Sequence, residues 1–311
     1  MFIVIKNKMV YNLIVLIGGN MFVNFIQGFC MALADSVPGV SGGTIAFLMG
    51  FYDKFINSLN NLISGNKKER IEALKFLFKL GIGWVVGMIL AISILASVFD
   101  KGIYKVSSLF LGFIISSIPL MIMEEKNVLK GKYYNLFYAL LGALAVIMLS
   151  VFKFGSSIDV SNLSIGMILY VLVAGMLAIS AMVLPGISGS TVLLTFGLYV
   201  SVITAVKEVL SFDFSNLMLL VIFGIGVILG AFVSLKGIKK VLHKYRSATI
   251  YAVIGMMIGS LYAIVMGPTT LEVPKEMMSF ETFDVLFFVI GIVIVFGLEK
   301  IKKLPWYKKE S

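Results

Sequence analysis

The amino-acid sequence predicts an all-α, polytopic membrane protein built from two repeats of inverted topology. The first observation is composition, since 59% of the 311 residues are hydrophobic and only 14% are charged. A soluble domain carries about 25% charged residues, so this chain would expose too much apolar surface to water. The mean hydropathy of +1.03 agrees with a bilayer environment. The other two observations are a motif that occurs twice and the uneven distribution of lysine and arginine.

Apolar stretches predict the helices in order. Two long stretches, 10–63 and 164–206, each carry one copy of the motif. We expect them to form helical hairpins that bend at Pro-Gly, because proline interrupts a continuous helix. Six further stretches are close to the ~20 residues that cross a bilayer: 80–98, 107–123, 134–152, 217–235, 248–266 and 283–298. One integrated membrane domain follows, with a first repeat over 1–153 and a second over 154–311.

The first hairpin is predicted to be re-entrant, which means that it turns back inside the membrane. Only residues 45–52 separate the motif from the charged Asp53 and Lys54. Eight helical residues span ~12 Å, less than half of the ~30 Å hydrocarbon core. The second hairpin supports a re-entrant turn more weakly, because its first charge after the motif is Lys207.

The repeated motif reads PGVSGGT at 38–44 and PGISGST at 185–191, with five of seven positions identical at a spacing of 147 residues. A polar turn is costly in lipid unless it lines a site or a cavity. Two such turns at matching places are typical of transporters with an internal repeat and broken helices. Later glycines also match between the halves, after a four-residue slip: Gly81, Gly83 and Gly87 with Gly224, Gly226 and Gly230. The closely spaced pairs among them predict helix packing rather than ligand contacts.

Positive charge predicts the orientation of the chain. Most of the 26 lysines and arginines lie in five segments that we therefore place in the cytoplasm: the N-terminus, 64–79, 124–133, 236–247 and the C-terminus. The hairpin 10–63 then begins and ends inside, and the hairpin 164–206 begins and ends outside, so the two halves are inverted. The basic segments should also attract anionic lipid headgroups. Nothing in the sequence resembles a nucleic-acid-binding module despite the net charge of +10.

The motif has the chemistry of an anion site. Ser41 can cap a new helix whose first N–H groups carry the positive end of the helix dipole. Glycines beside it would let a ligand approach the backbone. The predicted phosphate-binding residues are Ser36, Gly39, Ser41, Gly42, Gly43 and Thr44 in the first half and Gly186, Ser188, Gly189, Ser190 and Thr191 in the second. Alternatively, both turns are capped kinks at which helices pack closely.

Asp35 is the candidate for proton coupling or gating. An intramembrane carboxylate is expensive and is by default a functional hypothesis. Met182 takes its place in the second half. A carboxylate beside a phosphate would repel it unless a proton were bound. Alternatively, Asp35 caps the local turn or pairs with Lys54.

Cofactor and metal sites are not predicted. Cys30 is the only cysteine, so an intramolecular disulfide and a cysteine metal cluster are excluded. The one histidine, His243, lies in a basic segment and is expected to be solvated.

The stretch from Asp35 to Thr44, the following Gly50–Phe51–Tyr52, the second motif and the Gly255–Ser260 pattern resemble a bacterial polyprenyl-phosphate transporter family. The resemblance covers nearly the whole chain. It implies a flippase of the bacterial plasma membrane that returns undecaprenyl phosphate to the inner leaflet for wall-glycan synthesis. The lipid tail of the substrate comes only from the resemblance, and the oligomeric state stays open.

Two other functions remain as alternatives. A secondary transporter or channel for a small anion could also use paired helix N-termini. A lipid-pyrophosphate phosphatase is disfavoured, because phosphoryl transfer needs a cationic group near the motif and glycines, Gly42 and Gly189, follow the two serines. The sequence therefore predicts a transporter and not an enzyme.

Overall fold

The computed structural model describes residues 20–36, 41–151, 164–270 and 274–302. Within these ranges the chain forms helices and turns and contains no strand, which confirms the predicted all-α class. The helices are α1 Asn20–Asp35, α2 Gly42–Leu48, α3 Tyr52–Ser64, α4 Lys67–Glu124, α5 Lys126–Leu129, α6 Leu136–Val151, α7 Ile165–Val183, α8 Gly189–Thr195, α9 Tyr199–Leu210, α10 Leu217–Lys244, α11 Arg246–Met266 and α12 Val285–Lys302.

The long helix α4 consists of two spans. Gly102 has non-helical dihedral angles (φ −134°, ψ 18°) and divides it at a kink. Six segments of the described chain are long and apolar enough to cross a bilayer: Lys67–Ala91, Gly102–Glu124, Tyr133–Val151, Ile165–Val183, Leu217–Lys244 and Arg246–Thr269. Four of them coincide closely with the start or the whole of predicted spans, Lys67–Ala91 only overlaps the predicted 80–98, and Ile165–Val183 is the first arm of the predicted second hairpin. The remaining predicted span, 283–298, corresponds to the shorter helix α12.

Two of the basic segments that lie outside the predicted spans, 64–79 and 236–247, are largely helical. Residue 67 already begins α4, where Asn66 and Glu69 form a capping box, and α10 continues to Lys244. Lysine, arginine and glutamate are good helix formers, so these spans extend beyond their apolar parts.

The two halves of the chain show the same order of helices. In each, an apolar helix is followed by a seven-residue helix, a third helix and then long apolar helices. The turn after the short helix is also the same. Gly50 (φ +75°) and Gly197 (φ +66°) adopt the left-handed conformation that glycine tolerates best. The residue after each glycine makes an equivalent hydrogen bond. The Phe51 N–H donates to Ala46 O at 3.0 Å, and the Leu198 N–H donates to Leu193 O at 2.9 Å.

Glycines bring pairs of helices into close contact within each half, as predicted. In the first half, a Cβ atom at Gly83 would collide with the carbonyl oxygen of Phe25, so α4 packs directly on α1. In the second half, a Cβ atom at Gly226 would collide with the carbonyl oxygen of Leu172, so α10 packs directly on α7. Small residues allow such close approach of membrane helices.

The last helix of each half packs against the other half. Helix α6 lies on α11, where a Cβ at Gly255 would collide with Ala139 O. Helix α12 lies on the second part of α4, where Gly112 meets Phe288 O. These two contacts join the first and second halves of the described chain.

Three ion pairs lie where the first hairpin, the end of α4, the start of α11 and the end of α12 come together. Arg246 at the start of α11 contacts Glu125 at 2.5 Å and Asp53 at 3.3 Å. Lys302 in the last turn of α12 pairs with Glu124. Asp53 therefore lies at the end of the bundle where α4 ends and α11 begins. That is the end to which the charge distribution assigns the cytoplasm.

Candidate functional site

The first motif begins a short helix, as predicted. Ser41 is the N-cap of α2, and its Oγ accepts the backbone N–H of Gly43 at 3.1 Å. All seven residues of α2 are buried. A helix of this length spans only ~10 Å, so it ends well inside a bilayer-sized structure.

Asp35 caps the same helix from the end of α1. Its Oδ1 accepts the backbone N–H of Gly42 at 2.7 Å, and its Oδ2 accepts the indole Nε1–H of Trp84 at 3.0 Å. Of the two structural alternatives for Asp35, the capped turn is the one observed. Lys54 Nζ lies over the ring of Phe76, 5.1 Å from its centroid.

The two motifs touch each other in the interior. The Ser41 hydroxyl donates to Leu184 O at 3.2 Å and lies 3.4 Å from Met182 O. In return, the Gly186 N–H donates to Thr44 Oγ1 at 3.0 Å. Ser41 and Thr44 are fully buried. The hydroxyl groups of the first motif thus satisfy backbone groups exposed by the break in the second half, as buried polar groups require.

Glycine at position 43 permits this contact. A Cβ atom there would lie 3.1 Å from the backbone nitrogen of Pro185 and 3.1 Å from Val183 O. The Tyr52 hydroxyl, at the start of α3, donates to the same Val183 carbonyl at 3.1 Å. The backbone around Pro185 is therefore held between α2 and α3.

The second motif has a different hydrogen-bond pattern. Ser188 precedes α8, but its Oγ lies 2.6 Å from Ser190 Oγ and makes no capping bond to the helix. Gly189 and Ser190 are half-buried, whereas their counterparts Gly42 and Gly43 are buried. After α8 the chain bends by 116° into the apolar part of α9. The Ser190 hydroxyl is therefore more accessible than the buried hydroxyl groups of Ser41 and Thr44, whereas Ser188 and Thr191 are buried as well.

The structure brings only some of the predicted site residues together. Ser41, Gly43, Thr44 and Gly186 meet at the contact between the motifs. Gly42 is bonded to Asp35 in the first half, and Ser188, Gly189, Ser190 and Thr191 lie at the start of α8 in the second half. Ser36 donates to Leu33 O in its own turn at 2.7 Å. Gly39 lies outside the described residues.

Two residues that bind the predicted site, Trp84 and Tyr52, were not predicted from the sequence. Trp84 donates to Asp35, and Tyr52, which the sequence singles out only through the family resemblance, donates to Val183 O. The usable signal for Trp84 is that it is one of two tryptophans and lies inside a predicted span, although indoles favour membrane interfaces. Within the described ranges, no group of three or more His, Cys, Asp or Glu side chains is placed to hold a metal ion.

These features define a class: a multi-pass membrane protein in which two broken helices meet at a buried polar contact, as in secondary transporters. Comparison with known proteins is consistent with that class. A family model described as undecaprenyl phosphate translocase-like matches residues 31–282. The chain belongs to this family.

Two relatives are each named polyprenyl-phosphate transporter. One, from Staphylococcus aureus, is 36% identical over 287 residues, covering 90% of this chain and 96% of the relative. The other, from Vibrio cholerae, is 31% identical over 252 residues, covering 78% and 77%. No solved structure matches the chain. Both names describe transporters, which supports the prediction of a non-enzymatic protein.

Proposed function

We propose that this protein translocates undecaprenyl phosphate, a polyprenyl phosphate, across the bacterial plasma membrane so that the carrier lipid is reused. The names of the family and of both relatives support the substrate. The observation that carries the mechanism is the contact between the two motifs, from Ser41 to Leu184 and from Gly186 to Thr44. A lipid phosphate bound there would be held at the junction of the two halves.

The phosphate would take its hydrogen bonds from both motifs. The proposed donors are the backbone and hydroxyl groups of residues 41–44 and 186–191, together with Ser36 and Gly39, which come shortly before residue 41 in the sequence. In the described conformation Asp35 accepts the Gly42 N–H, and Ser41 accepts that of Gly43. The Asp35 carboxylate therefore sits where an anionic ligand of the first motif would bind, so the ligand must displace it.

A proton on Asp35 would make this exchange favourable. A neutral carboxyl group is a weaker acceptor than a carboxylate and does not repel a phosphate. Proton uptake then accompanies binding of the lipid, and proton loss returns Asp35 to Gly42 and favours release. Met182 occupies the matching position, so the coupling belongs to the first half alone.

Alternating access would follow from two inverted repeats that rock about this junction, with both termini in the cytoplasm. The matched glycine turns at Gly50 and Gly197 support equivalent hairpins in the two halves. In this motion the two hairpins would exchange their orientations while the rest of the fold stays the same. The junction between the motifs would then open to one leaflet at a time. The basic ends of α4, α10 and α12 would rest on anionic lipids.

The test is transport in vesicles that contain the purified protein and a labelled polyprenyl phosphate, with impermeant phosphatase outside to report the exposed leaflet. A parallel arm measures flux of inorganic phosphate and chloride. Lipid translocation without small-anion flux is expected. Small-anion flux without lipid translocation would instead favour the anion transporter or channel.

Gly42→Leu locates the phosphate site. A Cβ at Gly42 would lie 2.6 Å from Asp35 Oδ2, so the larger side chain fills the space in front of the first motif. We expect loss of translocation in a folded protein. The matched control is Gly237→Leu, since a Cβ at Gly237 meets nothing within 4 Å. If Gly42→Leu translocates lipid at the control rate, the phosphate binds elsewhere.

A further inference from the structure

An apolar groove runs along the first part of α4 and ends beside the motifs. Its volume is about 720 Å³. Helices α1, α3 and α7 contribute one residue each, Met31, Phe55 and Met182, and α4 contributes the rest: Leu77, Phe78, Leu80, Gly81, Ile82, Trp84, Val85 and Val86. Every lining residue is apolar, and the Phe78 side chain is 70% exposed on the outer face of a span-capable helix.

We infer that this groove binds the prenyl chain of the transported lipid, next to the motif junction. The inference rests on the proposed function and adds to it a second, apolar subsite.

The groove is continuous with the predicted phosphate site through two of its residues. Trp84 lines the groove and donates its indole N–H to Asp35, which caps α2. Met182 lines it from the other side, and its carbonyl oxygen lies 3.4 Å from the Ser41 hydroxyl. A lipid whose phosphate displaced Asp35 would therefore extend its first isoprene units past Trp84 and Met182 into the groove.

The chemistry of the walls matches an isoprenoid chain and no small anion. A hydrated anion gains nothing from a groove lined only by apolar side chains. A chain that arrives from the bilayer is already in an apolar medium, so the groove must bind it by close van der Waals contact. Met31 and Met182 suit this role, because methionine side chains adapt to irregular, branched partners. The volume lies in the range of ordinary ligand sites, roughly 300–1,000 Å³.

The end of the groove at Trp84 and Asp35 has polar groups that the second half lacks at the matching positions. At the spacing of the motifs, Asp35 corresponds to Met182 in the second half. At the spacing of the later glycines, which is four residues shorter, Trp84 corresponds to Val227. The groove therefore ends at the one motif that carries a carboxylate, where binding of the phosphate and transfer of the proton are proposed to be coupled.

Gly81→Phe tests the groove. A Cβ at Gly81 meets nothing within 4 Å, so the ring would enter the groove without disturbing the backbone. Gly224→Phe is the matched control, since Gly224 is the repeat counterpart of Gly81 on α10 and is equally open. Val85→Trp is a second variant, because Val85 lines the groove and is 50% exposed, which makes it tolerant of substitution.

Binding to the purified protein in nanodiscs is measured with a long-chain polyprenyl phosphate, with inorganic phosphate and with retained phospholipid. We expect Gly81→Phe and Val85→Trp to raise the Kd for the polyprenyl phosphate about tenfold, because the inserted rings displace the isoprenoid carbon atoms from their van der Waals contacts with the groove. Gly224→Phe should leave it unchanged, and all three should bind inorganic phosphate like the unmodified protein.

Three results would overturn the inference: equal affinity of Gly81→Phe and the unmodified protein for the polyprenyl phosphate, an equal loss in Gly224→Phe, or a parallel loss of phospholipid. In each case the proposed function would stand. An unmodified protein that binds no polyprenyl phosphate would instead remove the proposed function, and the groove's role with it.

Discussion

The indole Nε1–H of Trp84 donates a 3.0 Å hydrogen bond to Oδ2 of Asp35, while Oδ1 of the same carboxylate accepts the backbone N–H of Gly42. Both oxygens of the carboxylate thus have a donor. Charge-assisted hydrogen bonds of this kind are stronger than neutral ones, so they hold the side chain across the start of α2. The start of α2 is therefore occupied by a carboxyl group of the protein itself.

Replacement of Asp35 by asparagine tests its role in proton coupling. Transport by the unmodified protein should fall as pH rises, since ionised Asp35 repels the phosphate and keeps the Gly42 N–H. Asp35→Asn should still bind the lipid but lose most of its turnover. Its pH profile should be flatter, with only the titration of the lipid phosphate left, near pKa 6. Rates of lipid translocation in vesicles at a series of pH values check this.

The matched control is Asp213→Asn, which alters a carboxylate in an exposed turn where Asp213 bonds to Ser215. This variant should keep both rate and profile. Asp35→Asn with a normal rate and an unchanged pH profile would remove Asp35 from the mechanism.

Trp84→Phe removes the indole donor and keeps an aromatic ring in place. The free energy of unfolding should fall by about 1.5–3 kcal/mol, the range for a hydrogen bond to a charged group. Thermal unfolding in detergent measures it. In an Asp35→Asn background the penalty should shrink, because the charged acceptor is gone. The same penalty in both backgrounds would mean that Trp84 contributes through packing alone.

Thr44→Val tests the contact between the motifs. Valine keeps the shape of threonine but leaves the buried Gly186 N–H without its acceptor at 3.0 Å. An unsatisfied buried donor costs about 1–3 kcal/mol, and Thr44→Ser should restore most of it. The control is Thr249→Val, because the Thr249 hydroxyl donates to Tyr245 O one turn earlier. An equal free energy of unfolding for Thr44→Val and Thr249→Val would show that the contact between the motifs does not stabilise the fold.

Labelling of single cysteines tests the inverted orientation. In a Cys30→Ala background, a cysteine at Lys132 or Lys240 should resist an impermeant thiol reagent added outside intact cells. A cysteine at Glu281 should react, because the segment around it is acidic and is predicted to face outward. Labelling of the Lys132 or Lys240 variants from outside would contradict the inverted repeat.

Local features of the sequence determined the class of this protein. Runs of apolar residues near 20 in length predicted Gly102–Glu124 and Arg246–Met266 to within about five residues, and they predicted the start of Leu217–Lys244 but not its end, because crossing a bilayer requires that length. Pro-Gly within an apolar run predicted a broken helix, and Ser41 was identified as its N-cap, because both effects act within a few residues of the chain.

Only the tertiary structure decided how these parts meet. Ser41 and Leu184 lie 143 residues apart, and Asp35 and Trp84 lie 49 apart, and no local pattern pairs them. Their contact depends on how closely whole helices approach, which glycines such as Gly83 and Gly226 set by allowing backbone against backbone. The sequence therefore predicted an anion site at the motifs as a hypothesis. The packing of the helices decided that the Asp35 carboxyl group lies at the first motif and that an apolar groove along α4 lies beside it.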